Sequence, residues 1–287
     1  MAFSNTEETL TELHKACQEG NTCSVEILLE RGISMNFLNE NGTSPLYMAC
    51  HGGHNKIVRL LLERGADINL GKNSECIPFH VYCQKLSCYD GYESPLFIAC
   101  QQGNESTAQL LVDFDASINL CNSQKASLLL AACQKGHDKI VQILLEKGAD
   151  VNLCDNSGAS PLFVACQQRH NSIVQILLRN GANTDLLHKD KESPLERVIK
   201  EGYDDIVESL VESGANVNKS NNDGFTPLFF AIKHGHCNIV KILLRHNAKT
   251  NICYENMNGF TPFDVAVAFG NQGIATVLFE AESLNIL

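Results

Sequence analysis

Three cysteines and one histidine lie close together in one segment of the chain, and these residue types could bind a metal ion. Cys76, His80, Cys83 and Cys88 fall within thirteen residues. Thiolates and imidazoles are common zinc ligands, and thiols can also carry redox chemistry. Their order is Cys-x3-His-x2-Cys-x4-Cys, which matches no common spacing of structural zinc sites. One hypothesis is therefore a metal- or redox-responsive protein that uses these four residues.

The composition indicates a folded protein in a reducing compartment. The chain has 287 residues, of which 44% are hydrophobic, so it can bury a sizeable core. The polar N-terminus and the short apolar runs predict neither a secretion signal nor a membrane-spanning helix, which needs about 20 apolar residues. The thirteen cysteines are then expected to stay reduced, in the cytoplasm or the nucleus. A formal net charge of −11 opposes binding to nucleic acid and to anionic membranes.

The sequence repeats with a period of 33 residues. The segments that begin at Ser127 and Ser160, SLLLAACQKGHDKIVQILLEKGADVN and SPLFVACQQRHNSIVQILLRNGANTD, align without a gap. One apolar position recurs in eight copies, at steps of 33, 50, 33, 33, 33, 33 and 35 residues. Its members are Leu13, Leu46, Leu96, Leu129, Leu162, Leu195, Leu228 and Phe263. Such a period is typical of repeat architectures, in which neighbouring copies cover each other's apolar faces.

Each copy carries the signals of two short helices. The Ser/Thr-Pro pair that opens the copies predicts a first helix, since the hydroxyl caps it and Pro suits its first turn. An Ile-Val-x-x-Leu-Leu pattern supplies the apolar stripe of a second helix. Gly, Asn or Asp follows, and these residues tolerate the left-handed conformation that ends a helix. The predicted C-terminal caps are Gly32, Gly65, Asp115, Gly148, Gly181, Gly214 and Asn247.

These motifs resemble the ankyrin repeat. Ser/Thr-Pro-Leu-x-x-Ala, Gly-His, Ile-Val-x-x-Leu-Leu and Gly-Ala-Asp-Val-Asn follow one another at the 33-residue period over residues 9 to 285, essentially the whole chain. The resemblance implies an all-α ankyrin-repeat solenoid, in which helix–loop–helix units with protruding hairpin-like loops stack side by side. We expect one domain, 1–287, with repeats at about 9–36, 42–70, 92–120, 125–153, 158–186, 191–218, 224–252 and 259–285, and an insertion or half-repeat at 71–91.

Some positions depart from the ankyrin pattern. The His of the usual tetrapeptide is present only at His14, and we expect packing to replace its inter-repeat hydrogen bond in most other copies. Gly is absent before the capping Ser at Tyr92, Lys125 and Lys191, where we expect differently shaped or looser turns. The first and last copies are expected to close the stack with polar outer faces.

The repeat offers an explanation of the cysteine-rich segment. The step of 50 residues between the second and third copies leaves 17 residues more than the period of 33. Residues 77–84 match residues 94–101, the start of a copy, so His80 and Cys83 are explained by repeat position. We therefore favour a half-repeat or extended loop over a metal site. We also expect this junction to be the most irregular part of the stack, because an unpaired helix lacks its partner.

Five other cysteines follow the Ala of the first helix, one in each of five copies. The other three copies have Ile or Val at this position, and a slot that accepts Cys, Ile and Val indicates apolar packing. The members of the slot are Cys17, Cys50, Cys100, Cys133, Cys166, Ile199, Ile232 and Val267.

The histidines are the remaining candidates for catalysis. His54, His137, His170 and His236 occupy one repeat position just before the second helix, where we expect them to hydrogen-bond the turn. The sequence contains no Gly-rich phosphate loop, nucleophile elbow or His-Glu-x-x-His motif. We therefore expect no enzymatic activity and no cofactor. A Cys/His pair that forms only in space stays open at this stage.

Binding to another protein is the function that remains. Positions that vary between copies are free of scaffold roles, and by resemblance to ankyrin proteins they line a concave groove that holds a partner. The loop tips are Glu40, Asn41, Tyr89, Asp90, Ser123, Gln124, Asn156, Ser157, Lys189, Asp190, Asn222, Asp223, Met257 and Asn258. The residues that close the first helices are His51, Gln101, Gln102, Gln134, Lys135, Gln167, Gln168, Lys200, Glu201, Lys233 and His234. Tyr92, Phe225 and Phe260 are candidate aromatic anchors, with local packing as the alternative role.

These observations predict a non-enzymatic protein-binding scaffold or adaptor. Besides the metal- or redox-responsive hypothesis, the recognition arm of a larger assembly, such as a ubiquitin ligase, is an alternative. Asn69, Asn152 and Asn218 lie in Asp/Asn-Ile/Val-Asn segments, and ankyrin repeats with this arrangement resemble substrates of an asparaginyl hydroxylase. The alternative role of these residues is structural, with the side chain bonding the turn backbone.

Overall fold

The computed structural model describes residues 7–72 and 93–284, and within these ranges the chain is all-helical, with sixteen α-helices and no β-strand. The helices occur as eight consecutive pairs. They are α1 (Glu7–Glu19) and α2 (Thr22–Glu30), α3 (Pro45–His51) and α4 (Asn55–Glu63), α5 (Pro95–Gln102) and α6 (Glu105–Asp113), α7 (Leu128–Lys135) and α8 (Asp138–Glu146), α9 (Pro161–Gln167) and α10 (Asn171–Arg179), α11 (Pro194–Glu201) and α12 (Asp204–Glu212), α13 (Pro227–Lys233) and α14 (Cys237–Arg245), and α15 (Pro262–Ala268) and α16 (Gln272–Leu284). The prediction of an all-α fold built from paired short helices is confirmed.

The chain divides into two compact units, Met1–Asn156 and Ser157–Leu287. The first unit contains α1 to α8, and the second contains α9 to α16. Within each unit, the first helix of a pair packs on the first helices of neighbouring pairs, and the second helices pack on one another. Each pair therefore covers the apolar side of the next.

The predicted helix starts are present in the structure. In six copies, the capping hydroxyl accepts a hydrogen bond from the backbone N–H three residues later, at 3.0 to 3.2 Å. The six capping residues are Ser44, Ser94, Ser127, Ser160, Ser193 and Thr261. Thr226 makes no such bond, and its hydroxyl instead pairs with the hydroxyl of Tyr254 at 3.0 Å. Each cap contributes about 1 kcal/mol to helix stability.

The predicted ends of the second helices also adopt the expected backbone. All seven cap residues have a positive φ, and Asp115 and Asn247, which replace Gly, have values of 62° and 64°. Asp and Asn enter this left-handed region more readily than other residues with a side chain. The predicted C-terminal caps are confirmed.

Lys125 and Lys191 adopt the turn that glycine forms in other copies. Their φ values are 57° and 63°, in the left-handed region. The N–H of Lys125 donates to the carbonyl of Asn122 at 2.9 Å, just as the N–H of Gly42 donates to that of Asn39 at 2.8 Å. The expectation of differently shaped turns at these two lysines is wrong, because the hydrogen bonds of the turn impose the glycine conformation on them. The third such position, Tyr92, lies outside the described residues.

The cysteine slot of the first helices lies in the core. Cys17, Cys50, Cys100, Cys133 and Cys166 are buried with free thiols, and Ile199 and Ile232 are also fully buried. Burial raises the pKa of Cys17 to about 12 and raises the pKa of the other four thiols as well. These thiols therefore stay protonated and pack as apolar groups, which confirms the prediction.

Val267, the last member of the slot, is 56% exposed, and within the described residues α15 packs against α13 and α16. In the same helix pair, Phe269 and Phe279 are 45% and 63% exposed. The expectation of a polar closing face is therefore wrong for the last helix pair, which exposes three large apolar side chains.

The second and third copies pack directly on each other. The Nδ2 of Asn104, at the start of α6, donates to the carbonyl of Cys50 in α3 at 2.9 Å. Lys72 and Glu93 exchange two backbone hydrogen bonds, at 2.8 and 3.0 Å, so the chain leaves and re-enters the repeat at paired positions. The expected irregularity of this junction is not found in the residues on either side of 73–92, and the proposed half-repeat lies outside the described residues.

We predict that Lys125→Gly and Lys191→Gly each stabilise the protein by about 0.5–1 kcal/mol. Glycine removes about 1–2 kcal/mol of left-handed strain and costs part of this gain through the entropy of the unfolded chain. Urea unfolding with a fixed m-value measures the change. Lys125→Ala and Lys191→Ala are matched controls, since they remove the same charge and keep the strain; an equal gain in the alanine variants would contradict the prediction.

Candidate functional site

The predicted loop-tip residues are mostly exposed, on a backbone that is held by hydrogen bonds. Those with exposed side chains are Glu40, Asn41, Gln124, Asn156, Lys189, Asp190, Asn222, Asp223 and Asn258, whereas Ser123, Ser157, Met257, Phe225 and Phe260 are half-buried. Asn39, Asn122 and Asn221 hold three tips, because each Oδ1 accepts two backbone N–H bonds at 2.9 to 3.0 Å. Tyr89, Asp90 and Tyr92 lie outside the described residues.

Neighbouring tips are also bonded to each other within each unit. In the first unit, the N–H of Asn156 donates to the carbonyl of Gln124 at 2.9 Å. In the second unit, the N–H of Lys189 donates to the carbonyl of Ser157 at 2.7 Å, and the Nδ2 of Asn256 donates to that of Asp223 at 2.7 Å. These bonds hold the backbones of successive tips in a fixed row within each unit.

The residues that close the first helices are mostly exposed as well. Their side chains are exposed at His51, Gln102, Gln134, Lys135, Gln167, Gln168, Glu201, Lys233 and His234, and half-buried at Gln101 and Lys200. In the second unit a contact joins this set to a loop, because the Lys200 Nζ lies 2.9 Å from the carboxylate of Glu192, which follows the tip residues. The loops also contact the first turns of the first helices: His188 stacks on Phe163 of α9 with ring centroids 5.0 Å apart, and Glu93 accepts a hydrogen bond from the Tyr47 hydroxyl of α3 at 2.8 Å. We call the tips and the first-helix ends together, in each unit, the tip-and-helix face.

Phe225 is part of an aromatic cluster in the second unit. Its ring stacks on Phe229 at a centroid distance of 4.0 Å and also contacts Phe230 and Tyr254. The half-buried ring therefore packs locally, which was the alternative role for this candidate anchor.

Polar side chains at the start of the second helices bond the preceding copy. The Nε2 of His54 lies 2.9 Å from the carbonyl of Gln18, and Asn271 donates to the carbonyl of Ile232 at 2.7 Å. His137 makes the equivalent contact with Gln101 at 3.3 Å. Because the last carbonyls of a helix lack partners within that helix, these side chains satisfy them across the repeat boundary. The predicted scaffold role of His54 and His137 thus extends to the neighbouring copy.

One repeat boundary in the second unit has a different pair of side chains at the turn between the first and second helices. A Cβ on Gly20 or Gly202 would come within 2.7 Å of the histidine ring of the next copy. Arg169 occupies the equivalent position with a φ of 57°, and the next copy has Tyr203 instead of histidine. The Arg169 guanidinium lies 4.9 Å from the centroid of the Tyr203 ring, so a cation–π contact replaces the glycine–histidine contact.

The tetrapeptide positions keep more polar contacts than the sequence suggested. His14 is buried, with Nδ1 2.9 Å from the carbonyl of Leu10 and Nε2 2.9 Å from that of Thr43. Tyr47 also reaches the next copy through its bond to Glu93, and burial together with this bond raises the pKa of the Tyr47 hydroxyl. The expectation that packing replaces the inter-repeat hydrogen bond is therefore wrong for Tyr47.

Two of the candidate hydroxylation residues, Asn69 and Asn218, bond the next loop through their side chains. The Oδ1 of Asn69 accepts from the N–H of Ser117 at 3.2 Å, and that of Asn218 accepts from the N–H of Lys249 at 2.8 Å. The Nδ2 of Asn218 also donates to the carbonyl of Asn247 at 3.0 Å. Asn152 is half-buried like the other two. These contacts correct the expected structural role, since the bonded backbone belongs to the following copy.

A charged network in the second unit was not predicted. The Glu192 carboxylate binds Arg197 at 2.7 Å and Lys200 at 2.9 Å, and only 9% of its side chain is exposed. Glu196 forms a capping box with Ser193, and burial is the main cause that raises the pKa of its carboxyl group. The spacing of Arg197 and Lys200 on one helix was visible in the sequence, but no repeat pattern connects them to Glu192.

Metal binding finds no support within residues 7–72 and 93–284, where no group of three or more His, Cys, Asp and Glu side chains is arranged to hold an ion. The four candidates Cys76, His80, Cys83 and Cys88 lie outside the described residues. In the same described ranges, every helix is too short or too polar to cross a lipid bilayer.

The fold and the tip-and-helix face define a helical repeat protein. The family model described as ankyrin repeats (3 copies) matches residues 2–72, 70–155, 148–221 and 198–286. The chain therefore belongs to the ankyrin-repeat family, as the sequence predicted. Ankyrin repeats generally mediate protein–protein interaction, and the family is typically non-enzymatic. Comparison of the chain with curated proteins gives no match.

We predict that Glu192→Gln destabilises the protein by about 1–3 kcal/mol, because Arg197 and Lys200 lose a shared and buried counter-charge. Urea unfolding of the full chain measures this effect. Glu201→Gln is the control: Glu201 lies 3.8 Å from Arg197, but its side chain is 47% exposed. That control should cost less than about 0.5 kcal/mol, and equal effects of the two variants would show that burial of Glu192 adds nothing.

Proposed function

We propose that this protein is a non-enzymatic scaffold or adaptor that binds a protein partner through the tip-and-helix faces of its units. The main support is the contrast between two sets of residues. Most positions that repeat are buried or bonded to a neighbouring copy, whereas most of the variable residues of the tips and first-helix ends have exposed side chains. The variable side chains are therefore available to a partner.

The hydrogen-bonded tips explain how such a face could bind firmly. A flexible loop loses conformational entropy when a partner orders it, and this loss weakens binding. Here the tip backbones are held by asparagine side chains and by bonds between neighbouring tips. Binding then needs little further ordering of the backbone, and affinity depends on the side chains that each copy displays.

The experiment is affinity capture with the full chain, followed by mass spectrometry. Gln124→Glu/Gln134→Glu introduces charge at a tip and at the end of α7, and we expect it to reduce capture of the partner by at least about tenfold. Gln142→Glu is the matched control, since Gln142 is an exposed glutamine on the second helix α8. Capture that is equally strong with the double variant would exclude this face of the first unit.

We also propose Asn69, Asn152 and Asn218 as substrates of an asparaginyl hydroxylase. The support is the sequence resemblance, and the structure adds a physical constraint. Asn69 and Asn218 are hydrogen-bonded to the following copy, so an enzyme that needs an extended segment must first open that loop.

We therefore expect hydroxylation to increase when the repeats are loosened. Co-expression with a hydroxylase and peptide mass spectrometry would show the added oxygen at these residues. Glu192→Gln should raise the modified fraction at Asn218, in the unit that the substitution destabilises, more than at Asn69. Absence of modification on both the folded and the destabilised chain would refute the proposal.

A further inference from the structure

The second unit displays two cations on its tip-and-helix face, next to two carboxylates that are buried. Arg197 and Lys200 share the single carboxylate of Glu192, and their side chains remain 25% and 33% exposed. Glu192 and Glu196 are only 8% and 7% exposed as residues. Both cations are therefore reachable from solvent, whereas the two glutamates are largely covered.

Aromatic rings hold the two cations in place. The Arg197 guanidinium lies 5.7 Å from the centroid of the Phe163 ring, and the Lys200 Nζ lies 4.5 Å from that of Phe230. Such contacts favour a cation over the ring face and restrict its rotamers. The charges are thus positioned before binding, which lowers the entropic cost of pairing with an anion.

Two more lysines, Lys233 and Lys191, extend the positive surface. Lys233 closes α13 with an exposed side chain, and it has no ion-pair partner among the residues that the structure describes. Desolvation together with His236, Lys233 and Lys200 lowers the pKa of His234, although Glu201 acts in the opposite direction. Lys200 and Lys233 therefore lie close enough to act on the same imidazole, in a chain whose formal net charge is −11.

Lys191 adds a charge at a strained position of the tip. It precedes Glu192 directly, its side chain is exposed, and its φ of 63° is one that glycine adopts more easily. The accessible anions nearby are Asp190, which pairs with His188 at 3.1 Å, and Glu201, near Arg197. Strained residues cluster at functional sites when the surrounding structure can support their cost.

We propose that Lys191, Arg197, Lys200 and Lys233 form a cationic patch that binds an acidic segment of the protein partner. This inference rests on the proposed function, and it specifies the partner chemistry for the second unit. Carboxylates of an extended Asp/Glu-containing segment would pair with Lys191 and Lys233 and share the guanidinium of Arg197. Nonpolar or basic segments would leave these cations without counter-charges and are disfavoured.

The test measures binding of the full chain to a short synthetic peptide rich in Asp and Glu, with the matching Asn/Gln peptide for comparison. We expect binding of the acidic peptide only, and weaker binding as salt rises from about 0.05 to 0.5 M, because salt screens exposed charges. Lys233→Glu should weaken binding at least about fivefold, whereas Lys233→Arg should retain it.

A second pair of variants keeps the test independent of folding. Lys191→Gly removes a patch charge while relieving strain, so it should weaken peptide binding by about twofold or more while unfolding at higher urea. Lys125→Gly makes the same change in the first unit and should leave peptide binding unchanged. If Lys191→Gly binds as well as the unaltered chain, Lys191 contributes only structure and the proposed patch is wrong.

The remaining outcomes separate this inference from the proposed function. The cationic patch is overturned if the chain binds the acidic and the Asn/Gln peptides equally well, or if it binds neither peptide. In either case, partner capture that is still reduced by Gln124→Glu/Gln134→Glu would leave the proposed function standing. A single-stranded RNA that displaces the acidic peptide and binds more tightly would assign the patch to nucleic acid and overturn the inference as well.

Discussion

A helix pair in this protein can bury its apolar side only against the pair beside it, and the rest of the structure depends on this constraint. The regular spacing at which Leu, Cys, Ile and Val recur along the chain follows from this constraint, since each copy presents the same slots to its neighbours. Cys50 and Ile232 are equally buried because their slots face the next pair, whereas Val267, in the last pair that the structure describes, is exposed. Burial here is a property of the position in the stack rather than of the residue type.

Polar groups also form bonds between neighbouring copies. Helix ends leave carbonyls without partners, and His54, Asn104 and Asn271 satisfy such carbonyls in the preceding copy. The side chains of Asn69 and Asn218 instead accept hydrogen bonds from backbone N–H groups of the following copy. Each unit is therefore held by apolar contacts between helices and by hydrogen bonds at the helix ends and in the loops, and most tip side chains remain exposed.

The two units differ in the chemistry that they display on this common scaffold. The first-helix ends of the first unit carry mainly amides, such as Gln101, Gln102 and Gln134, whereas those of the second carry the amides Gln167 and Gln168 together with the charged Lys200, Glu201 and Lys233. Amides accept and donate hydrogen bonds without a charge preference, but the second unit also presents the cations Arg197, Lys200 and Lys233 while it buries Glu192 and Glu196. A repeat protein can thus vary its partner chemistry from one unit to the next without altering its packing.

The sequence by itself determined the family, the paired helices, the caps and the cysteine slot. These features are local or periodic, and eight copies repeat the same signal. The inter-copy contacts could not be predicted, because they join residues 29 to 54 positions apart whose partners depend on how neighbouring copies dock. Tertiary structure decided that the lysines at 125 and 191 take the glycine conformation, since the hydrogen bonds of the turn outweigh the preference of a lysine backbone. It also decided that Glu192 lies buried between Arg197 and Lys200, because only the packing of a loop against a first helix brings the carboxylate and the two cations together.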